Sequence, residues 1–492
     1  MQASDGQGRT GRGGADVVVV GGGIAGLAAA WYLSERAGRR VTVLEASPRV
    51  GGKLHASNVA GASVDEGAES LLVRRPEGLA LARDLGLGDE LVAPATLHAS
   101  VVRRGRLHPL PRGQVMGVPA DLTALARSGL LTVPELARTT LDHLLPRTPM
   151  GEDVAIGRQV RARLGAAVVD QLVEPLLGGV YAGHADELSF DMTVPALFAA
   201  ATRTRSLLRA AAGLRRASTS AVEGSDTSAQ VFASLPGGLA RLVDRLVERL
   251  AERGVSLLTR TTARELRRTE TGWALVVGAA SAPRTMSADA VVLATPSAPA
   301  SRLLAGVAPA AAAELAAIDY ASMAIITLAY PRAAFARMPA GSGFLVPPRE
   351  GRLVKAATFS SSKWGWYAEA APGTVVVRLS VGRHGEAAAL QRDDADLAAA
   401  AAAELGEIAG VSGPPVEIRV TRWGGALPQY AVGHRARVRR ARAAIAEHPG
   451  LAVCGAAYDG IGIPACIGSA RAAVAQLDRA VPEPLGGLGT TR

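Results

Sequence analysis

A chain of 492 residues exceeds what one hydrophobic core usually organises, so two closely joined domains are expected. Hydrophobic residues make up 48% and aromatic residues 4%, and the formal net charge of +10 gathers into no long basic run interleaved with aromatics, which excludes an ordinary nucleic-acid binder. Two cysteines, Cys454 and Cys466, make neither a disulfide framework nor a metal spacing, so no metal is expected and a reducing cytoplasm is the simplest compartment. No apolar run approaches the roughly 18 residues of a membrane span, while peripheral membrane contact stays open.

In chain order, residues 1–15 are polar and glycine-rich, lack the apolar centre of a signal peptide, and read as a disordered N-terminus. Residues 17–20 are four valines running into Gly21, Gly22, Gly23, Ile24, Ala25 and Gly26, then a helix-forming stretch. This predicts a buried strand turning tightly into a helix. At GxGxxG spacing Gly21 makes the turn, Gly23 lets a pyrophosphate approach the backbone, and Gly26 packs helix on strand, so the anion meets the helix N-terminus. A second buried strand, residues 41–44, ends in Glu45, where this fold places a carboxylate for ribose hydroxyls. An acid there disfavours a 2′-phosphate and leaves FAD or NAD. The following Ala46, Arg49, Gly51, Gly52 and Lys53 resemble the glutamate, alanine, Arg-x-Gly-Gly-Lys/Arg pattern of FAD-dependent amine oxidases, phytoene desaturases and protoporphyrinogen oxidases. That resemblance implies FAD, with the glycines close to the cofactor and Arg49 and Lys53 facing its phosphates; taken alone, each base is also readable as a solvated charge.

Residues 86–225 are expected to be largely helical, with helix-like stretches at 122–137, 157–164 and 193–214, and to roof the substrate. Residues 217–230, rich in Ser, Thr, Gly and Ala, read as a mobile loop. Leu235, Pro236, Gly237 and Gly238 open an amphipathic helix through Arg253, followed by a strand at 255–258, a hairpin-like pair at 263–266 and 273–277, and a strand at 290–294 that ends in Thr295 and Pro296. In the resembled family a unit of this kind touches the adenine half through its backbone, which at Ala263 competes evenly with a plain sheet position. Strand-like runs at 325–330, 353–359 and 374–381, a helix at 396–408 and a strand at 416–420 would make a β-rich substrate domain before the chain re-enters the nucleotide part. The expected fold is α/β. A Rossmann-like FAD domain is assembled from residues 16–85, 231–320 and 421–480, with an inserted mixed substrate domain at 321–420, the helical region, and a flexible tail at 481–492.

A second strand–glycine–helix unit closes the chain: residues 451–453, then Cys454, Gly455, Ala456, Ala457, Tyr458, Asp459, Gly460, Ile461, Gly462, Ile463 and Pro464. Its wording is similar to the C-terminal signature of protoporphyrinogen and coproporphyrinogen oxidases. Gly67, Ala68, Glu69 and Ser70 with Arg74 and Arg75, the stretch from Glu174 through Gly178, Gly179 and Tyr181, residues 358–364, and residues 422–434 with Trp423 resemble the same family, so that the match spans nearly all of residues 16–478. It implies noncovalent FAD held by the two glycine turns, the Gly67 to Ser70 loop and Trp423, and stepwise oxidation of a porphyrinogen. Six electrons leave in three hydride steps, and molecular oxygen is reduced to three hydrogen peroxide. Of the family's activities, the basic chain without an insertion helix leans to the soluble, Gram-positive-type coproporphyrinogen III oxidases; protoporphyrinogen oxidation is the alternative, then amine or polyene oxidation. Transient contact with other heme-pathway enzymes is open.

No side-chain base is required. The carbonyl of Gly179, with Gly178 behind it, is the expected partner for pyrrole N–H groups, because a glycine lets a macrocycle approach; the competing reading is a helix C-cap. Arg75, with Arg74 and Arg383, is expected to hold propionates through bidentate guanidinium contacts, against the reading of solvated surface arginines. Tyr181 is read as packing over the ring and Lys363 as bracing the substrate sheet. His184 reads as structural, and both cysteines as small buried hydrophobes.

Overall fold

The computed structural model describes residues 14–222 and 231–480. Three sheets organise them. The first is parallel throughout, with five strands in the order Ser256–Leu258, Arg39–Leu44, Ala15–Val20, Ala290–Leu293 and Leu451–Val453. The four valines of its central strand are all buried because they serve two cores in alternation. Val17 and Val19 face the helices Ile24–Ser34, Ala240–Glu252 and Ile463–Ala480, while Val18 and Val20 face Trp273, Leu275 and Val277 of a three-stranded meander. Period-two alternation across a sheet covered on both faces produces such a continuous apolar run.

The meander comprises Ala263–Thr269, Gly272–Ala279 and Ala282–Ala288. Its third strand was not anticipated: Pro283, Arg284 and Thr285 are exposed and carry no apolar alternation.

The third sheet has seven strands, ordered Glu417–Pro428, Tyr320–Pro331, Thr374–Val381, Val354–Phe359, Gly343–Leu345, Ala99–Arg103 and Arg106–Pro109. Two expectations change here. Residues 99–109, assigned to the helical region, add a hairpin to this sheet, with Val101 and Val102 buried on opposite faces in different cores. The strand expected to stop at residue 420 continues to Pro428 alongside Tyr320–Pro331, so Trp423 belongs to the substrate sheet. Ala324, Ile326, Leu328 and Tyr330 pack on one face in the core that includes the helix Asp394–Ala409, whereas Met323 and Ile325 turn to the other face.

The helical region is more broken than its periodicity suggests. Residues 122–137 form two helices, Leu122–Arg127 and Val133–Thr140, because Gly129 takes φ +68° after the first. Residues 193–214 divide at Pro195 and again before Leu207, and the helix Leu207–Val222 takes in the first residues of the segment read as a loop; residues 223–230 lie outside the described residues. Of the expected disordered N-terminus, Ala15 opens the first strand and residues 1–13 lie outside the described residues, as does the tail. The layer is pinned at its centre by buried Asp142, whose carboxylate accepts from Arg163 Nε at 2.6 Å, Ser206 Oγ at 2.6 Å and the Leu208 amide at 2.9 Å.

Candidate active site

The first strand hands the chain to its helix through glycines with separable jobs. Gly21 sits at φ +110°, where a side chain is strained. A Cβ on Gly26 would stand 1.8 Å from the Gly21 carbonyl oxygen, so only glycine lets helix and strand close. At Gly23 a Cβ would meet no protein atom within 4 Å, and the backbone, at φ −74° and ψ 177°, is one any residue adopts. Among the described residues nothing fills the space at Gly23. Glu45, at the end of the second strand, is fixed by the amides of Gly22 (2.7 Å) and Ser47 (2.8 Å).

The second unit approaches from the other end of the chain. Gly455 follows the strand Leu451–Val453 at φ +125°, and its amide donates to Ser469 Oγ at 3.2 Å. The two turns border one cavity of about 870 Å³. Gly21, Gly23, Ile24 and Ala25 line it on one side, Gly455, Ile461 and Ile463 on another. Glu45, Ala46, Gly52 and Lys53, then Gly67 and Ala68, continue the wall, and Ala263, Trp423 and Gly179 complete it. Such a volume falls in the range of small-molecule and cofactor sites.

Several expected site residues stand behind this wall. Gly26 and Gly462 act through the turns they build, Ser70 follows the lining loop, and Arg49 turns its guanidinium to the Val50 carbonyl. Glu69 does not reach the cavity: it is gripped by Lys363 and by Arg378 Nη1 at 2.7 Å, while Arg378 Nη2 donates to the Gly67 carbonyl at 2.6 Å. Burial alone would raise the Glu69 carboxyl, and the two cations reverse that, down to about 2.

On the substrate side, Gly179 and exposed Val180 lie in the last turn of the helix Glu174–Tyr181. A π-helical turn, Val169–Val173, precedes it and shifts the register that aims this end. The Gly178 carbonyl accepts from the Ala182 amide at 3.0 Å, with Ala182 left-handed at φ +51°, so Gly178 takes part in the C-cap. The Gly179 carbonyl falls in the set that a helix end leaves without an intrahelical donor. Tyr181 is packed away from the cavity against Tyr430, ring centroids 5.6 Å apart, with burial pushing its hydroxyl up to about 12. Buried Arg383 is engaged by Glu386 at 3.4 Å and the Val346 carbonyl at 2.9 Å. Arg75 pairs with Glu77 at 3.1 Å and lies beside the Gly460 turn, while Arg74 is exposed.

A family model for flavin-containing amine oxidoreductases matches residues 24–478. The chain belongs to this family. Within it, the coproporphyrinogen III oxidase of Mycobacterium tuberculosis H37Rv is 38% identical over 466 residues, covering 94% of this chain and 97% of that protein. The enzyme of the same name from Bacillus subtilis 168 is 32% identical over 471 residues, covering 93% and 97%. A solved structure from Exiguobacterium, described as a candidate protoporphyrinogen oxidase, superposes with a TM-score of 0.83 at 33% identity, covering 95% of this chain and all of that one.

Membership of the flavin-containing amine oxidoreductases brings a flavin cofactor, and the cavity fits one. The space at Gly23 is open to a ligand, and buried Thr295 Oγ1 on the wall has no hydrogen-bond partner among the described residues. Lys53 projects into the cavity, enclosed by its walls without an ion-pair partner among the described residues, and that enclosure lowers its pKa. A bound anion would offset this loss of hydration. Cys466, expected to face only the packing side, both joins the core and touches the cavity; burial pushes its thiol up to about 11, so it stays protonated and unreactive. Sequence reasoning missed Thr262, Arg264, Arg302, Tyr320, Met323 and Ile325 on the wall. For the last two, alternation within the strand was a usable signal; a single arginine on the helix Ser297–Leu304 gave none.

His184, read as structural, bonds Glu174 Oε1 through Nδ1 at 3.0 Å and the His384 carbonyl through Nε2 at 3.0 Å. The Glu174 contact chiefly raises its pKa, to about 9 from 6.5. A raised folded-state value means the stabilisation is complete below pH 6.5 and is lost as pH climbs through about 9. The expected result is a Tm advantage of wild type over His184→Gln that holds from pH 5.5 to 6.5 and disappears by pH 10. A constant difference across that range would show that the charged imidazole contributes nothing here.

Proposed function

We propose that the protein is an oxygen-dependent coproporphyrinogen III oxidase with noncovalent FAD, oxidising its substrate to coproporphyrin III in heme biosynthesis. The observation that carries this reading is the placement of Gly179 on the wall of the same cavity as both glycine turns. A helix-end carbonyl without side-chain cover, opposite the turn that receives the flavin ring, suits a flat macrocycle with inward-pointing N–H groups. Both cysteines are buried and neither lies in the Gly455 turn, which supports a noncovalent cofactor. A dinucleotide is supported by the two glycine turns meeting on one cavity with Glu45 on its wall, and a carboxylate in that place favours ribose hydroxyls over a 2′-phosphate, which supports FAD.

The flavin supplies the hydride acceptor and passes each electron pair to oxygen. The chain's own part is to orient and enclose. Gly179 would receive a pyrrole N–H, Val180 and Ile325 would exclude water, and the apolar walls would hold the macrocycle in one plane. We assign propionate binding to Arg75 and Arg74, the candidate arginines that are not buried; Arg383, Lys363 and Tyr181 act from behind the wall as braces. Residues 16–85, 231–320 and 421–480 would carry the cofactor, with the strand Glu417–Pro428 shared between the two parts.

Anaerobically prepared coproporphyrinogen III and protoporphyrinogen IX, offered separately while porphyrin fluorescence and peroxide are followed, test this. Faster coproporphyrin formation with three peroxides per porphyrin is the expected result; preference for protoporphyrinogen would replace the substrate assignment. In the same assay Arg75→Ala is expected to raise KM for coproporphyrinogen about fivefold, roughly 1 kcal/mol, at nearly constant kcat. An unchanged KM would move the propionate site elsewhere.

A further inference from the structure

Residues 422–434 carry much of the family resemblance, and Trp423, Ala426 and Leu427 among them line the cavity. The end of this segment makes a different set of contacts. Gln429 Nε2 donates to the Tyr181 carbonyl at 2.8 Å, the Ser189 amide donates to the Tyr430 carbonyl at 2.7 Å, and the Tyr430 ring packs on Tyr181. All three contacts reach the end of the helix that carries Gly179 or the turn following it. In the other direction, the Tyr430 hydroxyl donates to the Ala456 carbonyl and His434 Nε2 donates to the Ala457 carbonyl at 2.9 Å. The two rings are stacked, centroids 4.4 Å apart, and both residues are fully buried.

Ala456 and Ala457 line the cavity at the second glycine turn. Across a trans peptide the C=O and N–H point in opposite directions. With the Ala456 carbonyl drawn back into the protein by Tyr430, the Ala457 amide is turned the other way. That amide has no protein acceptor among the described residues, although Ala457 is 2% exposed. Buried amides rarely stay unpaired, so a donor in this position is expected to meet a ligand. The bond to Ala457 requires the proton on His434 Nε2; burial lowers the ring's pKa to about 4, which keeps the imidazole neutral.

We propose that Tyr430 and His434 are positioning residues: Tyr430 holds the carbonyl of the Ala456 to Ala457 peptide and His434 the carbonyl of the next peptide, Ala457 to Tyr458, so that between them the Ala457 N–H is presented to the flavin ring, and with Gln429 they set the separation between that ring and Gly179. The first half rests on the family's flavin alone, the second on the porphyrinogen reading. An N–H held against the ring stabilises the negative charge that reduction places there, without reorganising at the moment of electron transfer.

The test is the two-electron midpoint potential of the bound flavin, by anaerobic dye titration, with its visible spectrum. Tyr430→Phe keeps the ring on Tyr181 and removes only the hydroxyl. It is expected to lower the preference for reduced over oxidised flavin about tenfold, which is about 30 mV toward negative potential for a two-electron couple. His434→Leu should shift the potential in the same direction, and His434→Gln, whose amide can donate to Ala457, should return most of it. Potentials and spectra unchanged in Tyr430→Phe and His434→Leu would overturn the proposal, as would a shift that His434→Gln fails to reduce. A wild-type protein inactive on both porphyrinogens, with the potential shifts present, would instead overturn the substrate reading and leave the peptide's role standing.

Discussion

Gly23→Ala is expected to fold much as the wild type does and to purify without its yellow colour. The added methyl meets no protein atom, and the backbone already has ordinary dihedrals, so the cost to the apoprotein is limited to exchanging glycine for alanine at a helix N-cap, about 1 kcal/mol or less. The same methyl occupies the space through which, on the proposed FAD reading, a pyrophosphate would reach the helix N-terminus. Loss of that approach is expected to weaken flavin binding by about a hundredfold, near 2.7 kcal/mol. Gly26→Ala should behave in the opposite way. Its methyl would overlap the Gly21 carbonyl, a backbone atom at 1.8 Å, and the helix must leave the strand to accommodate it, at about 3 kcal/mol or more. Apoprotein Tm and flavin dissociation constants for both variants decide the matter. If Gly23→Ala lost stability as severely as Gly26→Ala, the glycine would be structural and the ligand argument at this turn would fail.

Removing Glu69 should be the most damaging single change in the contact between the two sheets. It is the shared acceptor for Lys363 and Arg378, and Arg378 in turn holds the Gly67 carbonyl of the loop lining the cavity. Glu69→Ala would leave two largely buried cations without their counter-ion, for which a loss of about 3–5 kcal/mol is expected. Flavin affinity should fall as well, because the cavity wall at Gly67 and Ala68 loses its tie to the substrate sheet. The pH dependence has a definite sign. A carboxyl held near 2 against 4.5 contributes stability that is complete above pH 4.5 and lost progressively as pH falls toward 2. Wild type should therefore lose Tm between pH 4.5 and 3 more steeply than Glu69→Gln. Parallel curves would mean that the network is not held by charge.

Both glycine turns were legible because tight turns and close backbone approach leave few residue choices. The same holds for Glu45 at the end of its strand. The valine run at 17–20 announced a buried strand, and the structure covers it on both faces. Charged residues behaved differently. Glu69 and Lys363 carry the residue types a ligand site needs, but Glu69 meets Lys363 294 positions away and Arg378 309 positions away, and nothing in local spacing reveals which cation meets which anion. Tyr181 pointed into the core for a similar reason, since its orientation depends on the helix register set by the π turn before it. The strand at 99–103 was hidden in a segment of mixed pattern because it pairs with Gly343–Leu345, more than two hundred residues downstream.

That separation has a consequence for how the protein is made. The central strand of the parallel sheet, Ala15–Val20, leaves the ribosome more than 250 residues before its neighbour Ala290–Leu293 and more than 400 before the outer strand Leu451–Val453. At about 5–20 residues per second, roughly 20 to 90 s separate the first strand from the last. Until Ala290–Leu293 emerges, the four consecutive valines have a partner on one edge only, and until Leu451–Val453 emerges the cofactor has half a site to bind. Free flavin therefore cannot template the early folding of this chain. Its stabilising pull arrives only once residues 451–453 have been made, and a growing chain must be kept from pairing its open edge with another copy until Ala290–Leu293 covers it.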